Sequence, residues 1–206
     1  KCSFKYKSNS NNYFRMIKIG VTGVIGSGKS TAVKYFSSLG VPVFIADDYA
    51  KKLMNEDDFL KSEIIKIIGD NAYKNNELNR KYISDVIFKD EKLLKSINNL
   101  IHPRVKKEYL NWLNKQDSKY SIYEAALIFE NNSESDFDKI ICIKTPVDEI
   151  YKRLKLRGNY SKFKIDLILN SQIDQDVKCS KSDYCVKNTS IKDLKKKLFQ
   201  IHLLHI

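Results

Sequence analysis

The chain has 206 residues, enough for one α/β domain that carries insertions. Its apolar content of 42% can support a packed core, and its formal net charge of +12 would by itself suggest a nucleic-acid partner. The lysines are spread over the whole sequence, with no arginine-rich arm, and no apolar run is long enough to span a membrane, so nucleic-acid and membrane partners are both disfavoured.

Residues 1–15 are polar and without periodicity, and we predict that they form a disordered extension. They contain basic residues but no hydrophobic segment of the kind that a signal peptide needs. We interpret Met16, directly before the first apolar run, as the natural start of the protein. The four cysteines show no C-x-x-C spacing, and their usage favours a reducing, cytoplasmic compartment.

A glycine-rich loop follows the first predicted strand, 17–21, and precedes a predicted helix at 29–39. Residues 23–30 match G-x-x-x-x-G-K-[ST], the phosphate-binding loop of nucleoside triphosphate enzymes. In this motif Lys29 reaches the β- and γ-phosphates, and the Ser30 hydroxyl ligates Mg²⁺. The partial positive charge of the helix N-terminus also favours a phosphate. The residues predicted to bind the nucleoside triphosphate at the loop, which is ATP if the resemblance described below holds, are Gly26, Ser27, Gly28, Lys29, Ser30 and Thr31.

Asp47 follows the second predicted strand, 41–46, so we expect it at the carboxyl edge of the sheet near the phosphate loop. A carboxylate there can accept a proton from an attacking hydroxyl or hold Mg²⁺ through water. Asp47 can also be the N-cap of the next helix, a role that Asp48 could fill as well. The sequence leaves these interpretations open.

Residues 57–115 have helical patterning, interrupted by a predicted turn at 69–76. Pro103 is expected to end one helix and to occupy the N1 position of another. His102 precedes it, and a histidine in a helical stretch is more often structural than catalytic. Residues 114–117 read N-K-x-D, the guanine-reading motif, but they come before a strand and no D-x-x-G follows the loop, so we reject a GTPase.

The third predicted strand, 120–129, is followed by strands at 139–144 and 184–187, and helices are predicted at 147–156, 162–171 and 191–204. Strands that alternate with helices predict a doubly wound parallel sheet.

Two glutamates flank the third strand. Glu130 is placed for ligand contact at the end of the third strand, whereas Glu124 is interpreted as the exposed start of that strand. Arg153 and Arg157 share a helix face, either as lid arginines that close over phosphates or as a solvated basic helix end.

These motifs, in their order and spacing over 17–188, resemble those of the dephospho-CoA kinases. The matching segments are the phosphate loop, Leu78-Asn79-Arg80, Ile101-His102-Pro103, E-A-A-L-I-F-E at 124–130, Arg153 with Arg157, Gln172, and S-D-Y-C-V-K-N at 182–188. The resemblance implies a P-loop kinase fold with a five-stranded parallel sheet flanked by helices, a helical substrate-binding insert and a lid. The corresponding division is a core at 16–56, 118–150 and 183–206, an acceptor-substrate insert at 57–117 and a lid at 151–182.

The activity that the resemblance implies is transfer of the γ-phosphoryl group of ATP to the ribose 3′-hydroxyl of dephospho-CoA, the last step of coenzyme A synthesis. Asp47 would orient or deprotonate that hydroxyl, and Asn188 would lie near the adenine of ATP. The catalytic residues would be Lys29, Asp47, Arg153 and Arg157, and the acceptor-side residues Asp47, Arg80, His102 and Glu130.

The chain departs from the family pattern at three positions. Val24 replaces a glycine in the loop, where we expect a negative φ because a β-branched residue is strained at positive φ. Ile45 replaces the first aspartate of the common D-A-D, and Ile168 replaces a second lid arginine. Two other functions stay open: another P-loop nucleotide or small-molecule kinase, and a nucleic-acid-binding ATPase module that would use the basic charge.

Overall fold

The computed structural model describes residues 15–87, 90–158 and 160–206, so the predicted extension lies outside it except for Arg15. The strands are β1 Ile17–Thr22, β2 Val43–Ile45, β3 Tyr73–Lys74, β4 Glu77–Leu78, β5 Tyr120–Glu124, β6 Lys139–Lys144 and β7 Tyr184–Lys187. The helices are α1 Lys29–Ser38, α2 Ala46–Glu56, α3 Asp58–Ile68, α4 Arg80–Ile87, α5 Glu91–Leu113, α6 Val147–Leu156, α7 Lys162–Asn170, α8 Gln175–Ser180 and α9 Ile191–Leu203. None of these helices combines the length and the apolar character that crossing a membrane requires.

Five parallel strands form the central sheet in the order β2–β5–β1–β6–β7, which confirms the predicted fold class. The chain leaves β1 toward β2 on one side and later fills β6 and β7 on the other. Ile19 and Val21 of β1 are fully buried in a core that also contains residues of α1 and α9. In such a sheet the loops at the carboxyl ends of the strands meet near the point where the strand order reverses, and ligands bind there.

The helix α1 is bounded by two glycines with left-handed backbone conformations. Gly28 is its N-cap with φ 99°, and Gly40 follows its C-cap with φ 81°. The Gly40 N–H donates to Ser37 O at 3.0 Å, and the Val41 N–H donates to Phe36 O at 3.2 Å. These two bonds form a Schellman motif with Gly40 as its C′ residue.

Helices α2 to α5 and the β3–β4 hairpin enclose a second apolar core. Ile97, Ile101 and Val105 recur at four-residue intervals on α5 and are buried in it, on both sides of Pro103. The predicted helix break at Pro103 is therefore wrong, because packing of both halves of α5 keeps one helix continuous despite the carbonyl that proline leaves without a donor.

An aromatic cluster joins this second core to the sheet. Phe44 of β2 stacks on Tyr49 with ring centroids 3.8 Å apart and on Tyr123 of β5 at 5.4 Å. It also meets two rings of α5 edge-on, Tyr109 at 5.1 Å and Trp112 at 5.5 Å. The helices that follow β2 are thus fixed to the strand that leads to Asp47.

Two features between β5 and β7 differ from the sequence-based expectations. The strand β5 ends at Glu124, whereas the prediction extended it to residue 129, because the apolar run continues into turns at 126–132. The short helix α8 was not predicted, and a disulfide between Cys179 of α8 and Cys185 of β7 joins it to the sheet. Nothing in the cysteine spacing indicated this pair.

Candidate active site

The phosphate loop runs from β1 into α1, and its geometry leaves backbone donors for an anion. A Cβ atom at Gly28 would lie 2.1 Å from Asn188 Nδ2, so only glycine fits there. No side chain of the described residues caps the N-terminus of α1, and the Thr31 N–H donates to Gly28 O at 3.0 Å, so the amides of Lys29 and Ser30 are left for a ligand. Val24 is not among the described non-glycine residues with positive φ, so the prediction of a negative φ at Val24 is confirmed.

Lys29 and Glu124 form a buried charged pair behind the loop. Lys29 Nζ donates to Gly23 O at 3.0 Å and lies 3.9 Å from Glu124 Oε1, and the two side chains are 11% and 9% exposed. Burial lowers the pKa of Lys29 and raises the pKa of Glu124, and their mutual attraction does not cancel either effect. A desolvated cation with too little counter-charge is suited to an anionic ligand such as a phosphate.

Asp47 lies at the same edge of the sheet, exposed in the first turn of α2. The helix begins at Ala46 after an extended Ile45, and no side-chain bond caps it, so the N-cap interpretation of Asp47 is wrong. The negative charge of Asp47 adds to burial in raising the pKa of Glu124, and it opposes burial at Lys29. Asp47, Lys29 and Glu124 therefore form one electrostatically coupled group beside the phosphate loop.

Arg153 and Asn188 hold the middle of the phosphate loop. Asn188 is 3% exposed, and its Nδ2 donates to Ser27 O at 2.8 Å. Arg153 Nη2 donates to Asn188 O at 3.2 Å, and its Nη1 donates to Thr145 Oγ1 at 3.4 Å. Thr145 Oγ1 in turn donates to Ser27 O at 2.7 Å. The structure thus brings two of the predicted residues, Arg153 and Asn188, to the loop.

Four other predicted residues are on other elements. Arg157 follows α6 and is exposed, Arg80 is the exposed first residue of α4, and His102 is exposed on α5. The pKa of His102 is nevertheless lowered by partial burial of its ring. Glu130 is in the turns after β5, where its Oε1 lies 2.7 Å from Lys178 Nζ.

Sequence reasoning misplaced Glu124, which it interpreted as exposed. The strand ends one residue after Tyr123, so Glu124 is at the carboxyl edge, in the position that was assigned to Glu130. The residues after Glu124, A-A-L-I-F, are as apolar as those of a buried strand, so the sequence does not show that β5 ends at Glu124. The only available signal was the single acidic residue within an apolar run. Gln172, noted in the resemblance, also contacts the loop: the Ile25 N–H donates to its Oε1 at 2.9 Å.

The side chains at this edge fit a magnesium ion that is bound together with a nucleotide. The Ser30 hydroxyl is exposed in the first turn of α1, and the carboxylates of Glu124 and Asp47 are beside Lys29. Mg²⁺ keeps several waters and takes one or two carboxylates plus substrate phosphates. Within the described residues no group of three or more His, Cys, Asp or Glu side chains is arranged to hold a metal by itself.

The sequence model of the dephospho-CoA kinases matches residues 17–193 of this chain. The dephospho-CoA kinase of Gamma-proteobacterium EBAC31A08 is 35% identical over 189 residues, which cover 91% of this chain and 94% of the relative. The dephospho-CoA kinase of Coxiella burnetii is 33% identical over 194 residues, covering 93% and 98%. These matches include the loop, the helices that follow β2 and the segment with Arg153.

Solved structures of kinases also resemble this chain. The dephospho-CoA kinase from Campylobacter jejuni superposes with a TM-score of 0.66 at 29% identity, over 90% of this chain and 95% of that one. A shikimate kinase from Bacteroides thetaiotaomicron has a TM-score of 0.52 at 14% identity, over 93% and 100%, and shares the fold alone. On the family match and the identity to its relatives, the chain belongs to the dephospho-CoA kinase family.

Proposed function

We propose that this chain transfers the γ-phosphoryl group of ATP to the ribose 3′-hydroxyl of dephospho-CoA, giving coenzyme A and ADP. The observation that carries the proposal is the family match over 17–193, because it spans both the phosphate loop and the helices that would hold the acceptor. The buried pair of Lys29 and Glu124, with the exposed Asp47 beside it, supports the proposal, since phosphoryl transfer mainly requires positioning and charge stabilisation.

On the donor side, the backbone from Gly26 to Thr31 holds the phosphates of ATP, and Lys29 pairs with them. Ser30, with Glu124 and Asp47 through water, would hold Mg²⁺, which supplies charge neutralisation at the transferred group when it is bound. Asn188 is assigned to the adenine side of the site. Its bond to Ser27 O supports this assignment, because it places the side chain beside the loop.

On the acceptor side, Asp47 orients the ribose hydroxyl and accepts its proton. The acceptor oxygen bonds to the γ-phosphorus as the bond from phosphorus to the β–γ bridging oxygen breaks, and ADP leaves. Arg153 and Arg157 are assigned to stabilising the transferred charge. The position of Arg153 beside the loop supports its part in this role.

The binding of dephospho-CoA is assigned to the insert at 57–117, through Arg80, His102 and Glu130. The segment 151–182 is assigned the role of a lid. The exposure of Arg80 and His102 on α4 and α5 supports the first assignment, since both side chains are accessible to a ligand. Glu130 is engaged with Lys178 through one oxygen and its other oxygen is buried, so the geometry supports Arg80 and His102 in this role more than Glu130.

A coupled assay of ADP release with three acceptors tests the proposal. Dephospho-CoA should support turnover, whereas a nucleoside monophosphate and water alone should not. Mass spectrometry of the product should show one added phosphate. Transfer to the nucleoside monophosphate without transfer to dephospho-CoA would indicate another P-loop kinase. Tight, strongly salt-dependent RNA or DNA binding without any transfer would instead indicate a nucleic-acid-binding ATPase.

We place the reaction in the cytoplasm, the compartment that the sequence composition favours. The disulfide between Cys179 and Cys185 is an observation against a reducing compartment. Thiol titration of protein denatured directly after cell lysis measures this pair: two free thiols at these positions support the cytoplasmic assignment, and an intact disulfide contradicts it.

A further inference from the structure

Lys178 of α8 is a fully buried cation outside the group of residues assigned to catalysis. Its side chain is 0% exposed, and its Nζ lies 2.7 Å from Glu130 Oε1 and donates to Ala126 O, also at 2.7 Å. A buried ion pair is a poor source of stability, because apolar side chains of similar size stabilise as well or better. The position of its partners is therefore more informative than the pair itself.

Ala126 lies two residues after Glu124, and its carbonyl oxygen accepts two bonds. Besides Lys178 Nζ, it accepts from Thr22 Oγ1 at 3.1 Å. Thr22 is the last residue of β1 and directly precedes the phosphate loop. One carbonyl oxygen thus joins the start of the loop, the segment that carries Glu124, and α8.

The segment 172–178 is also tied to the site at its other end. The Ile25 N–H in the loop donates to Gln172 Oε1 at 2.9 Å, and the Ile173 N–H donates to Glu130 Oε1 at 2.9 Å. The second oxygen of Glu130, Oε2, is buried without a hydrogen-bond partner among the described residues. This segment therefore spans from the phosphate loop to the turns after β5, and the Lys178–Glu130 pair closes the connection.

The charge of Lys178 also reaches the phosphate site. It adds to burial in lowering the pKa of Lys29, so the two lysines are close enough to interact. A displacement of Lys178 would change both the backbone around Glu124 and the field at Lys29.

We propose that Lys178 is a positioning residue for phosphoryl transfer. Through Ala126 O and Glu130 it holds the segment after β5, and with it Glu124, in register with the phosphate loop. The inference rests on the proposed function and adds to it a residue that does not touch the substrates. Because misplacement of reacting groups by fractions of an ångström costs rate, loss of this connection lowers kcat more than substrate affinity.

The test compares Lys178→Met, Glu130→Gln and the double variant with Lys181→Met, an exposed lysine at the C-cap of the same helix. Thermal midpoints are measured with kcat and the KM values for ATP and dephospho-CoA, at a temperature where each variant is folded. Lys178→Met should lower kcat by about tenfold or more, with a smaller change in KM for ATP, whereas Lys181→Met should behave as the wild type.

The double variant separates positioning from stability. Lys178→Met leaves the Glu130 charge buried and unpaired, and adding Glu130→Gln removes that charge, so the thermal midpoint should recover. The low kcat should remain, because Ala126 O still lacks its second donor. Recovery of kcat together with the midpoint, or a folded Lys178→Met with wild-type kcat, would overturn the proposal.

A failure of the proposed function is recognised separately. If the wild type binds ATP but does not phosphorylate dephospho-CoA, that function is wrong, and positioning is then read from amide hydrogen exchange with ATP bound. The Ala125 N–H, which donates to Val21 O at 3.1 Å, should exchange faster in the double variant than in Lys181→Met. Equal exchange rates would contradict the positioning role.

Discussion

At Glu124, burial and charge pairing act in opposite directions, and burial has the larger effect. The pKa of this carboxyl is raised although Lys29 Nζ lies 3.9 Å away. The ionised carboxylate is the form that can hold a hydrated metal ion and pair with Lys29. The role proposed for Glu124 therefore needs a negative charge where the surroundings favour the neutral acid, and protonation should occur at a higher pH than in an ordinary glutamate.

We expect kcat/KM for ATP to fall as the pH decreases, with an acid limb above the usual range of a glutamate, because protonation removes the charge of Glu124. Glu124→Gln should lower kcat/KM at neutral pH by about 10- to 100-fold and should lack this part of the limb. Initial rates at constant ionic strength measure both profiles. If the pH profile of Glu124→Gln has the same acid limb as that of the wild type, the group that titrates is not Glu124 but ATP or another side chain.

Lys29→Ala should reduce turnover by at least about 10²-fold, because the variant lacks the side chain assigned to the β- and γ-phosphates. The circular dichroism spectrum should stay that of the folded protein, since Lys29 is outside the apolar cores, whereas the thermal midpoint should fall because Glu124 loses its buried cationic partner. Lys34→Ala, an exposed lysine of the same helix, is the matched control. Equal turnover in the two variants would exclude the assigned role.

Asp47→Asn should lower kcat by about 10²-fold or more while the protein stays folded, because the amide cannot accept the acceptor's proton. The control is Asp48→Asn, one residue later in the same helix turn and also exposed. Steady-state rates with dephospho-CoA compare them. Near-normal turnover in Asp47→Asn would remove its role as a base.

These residues also show how far the sequence could predict the site. The phosphate loop and the place of Asp47 follow from local signals, a contiguous motif and a strand end. Glu124 required knowledge of where a strand stops inside a longer apolar run. The buried Lys178 forms its ion pair with Glu130, which is 48 positions away in the sequence, and no local pattern reveals such a pair.

At the scale of elements, α1 allows a direct comparison of two glycines. Gly40→Ala places a side chain at φ 81° with no atom within 4 Å of its Cβ, so we expect a loss of about 1–2 kcal/mol in the free energy of unfolding, from backbone strain alone. Gly28→Ala adds the clash with Asn188 and should cost more and weaken ATP binding. Urea unfolding and ATP titrations check this. Equal effects at the two positions would refute the role of the Asn188 contact.

The helix α5 shows why local rules can fail for an element. Proline does remove one backbone hydrogen bond from a helix. The rule that proline ends a helix considers only this penalty of about 3 kcal/mol and leaves out tertiary packing. Ile97, Ile101 and Val105 bury one face of α5 on both sides of Pro103, and this packing outweighs the local penalty. Elements whose ends depend on tertiary contacts, such as β5 and the short α8, were missed or misjudged for the same reason.

At the scale of the whole molecule, the formal charge of +12 bears on both anionic substrates. We expect the KM values for ATP and dephospho-CoA to rise with salt while kcat changes little, because screening weakens long-range attraction more than short-range contacts within the site. A potassium chloride series at fixed free Mg²⁺ measures this. KM values independent of salt would show that the net charge plays no part in substrate capture.

The fold as a whole was predictable because alternating strands and helices around a phosphate loop leave few topologies for one parallel sheet. The strand order β2–β5–β1–β6–β7 agrees with that expectation. The pairing of Cys179 with Cys185 was not predictable, since it depends on how α8 returns to the sheet. Sequence patterns predict the helices and strands directly, whereas the contacts between their side chains depend on how the chain folds.

The aromatic cluster around Phe44 provides the protein with a built-in optical reporter. Trp112 is the single tryptophan of the chain, and it packs on a ring that precedes Asp47 by three residues. The tryptophan fluorescence of the protein therefore reports on the helices after β2, because the phosphate loop contains no tryptophan. A titration followed by this emission should distinguish arrival of the acceptor from arrival of ATP in unlabelled protein, and should give the order in which the two substrates bind.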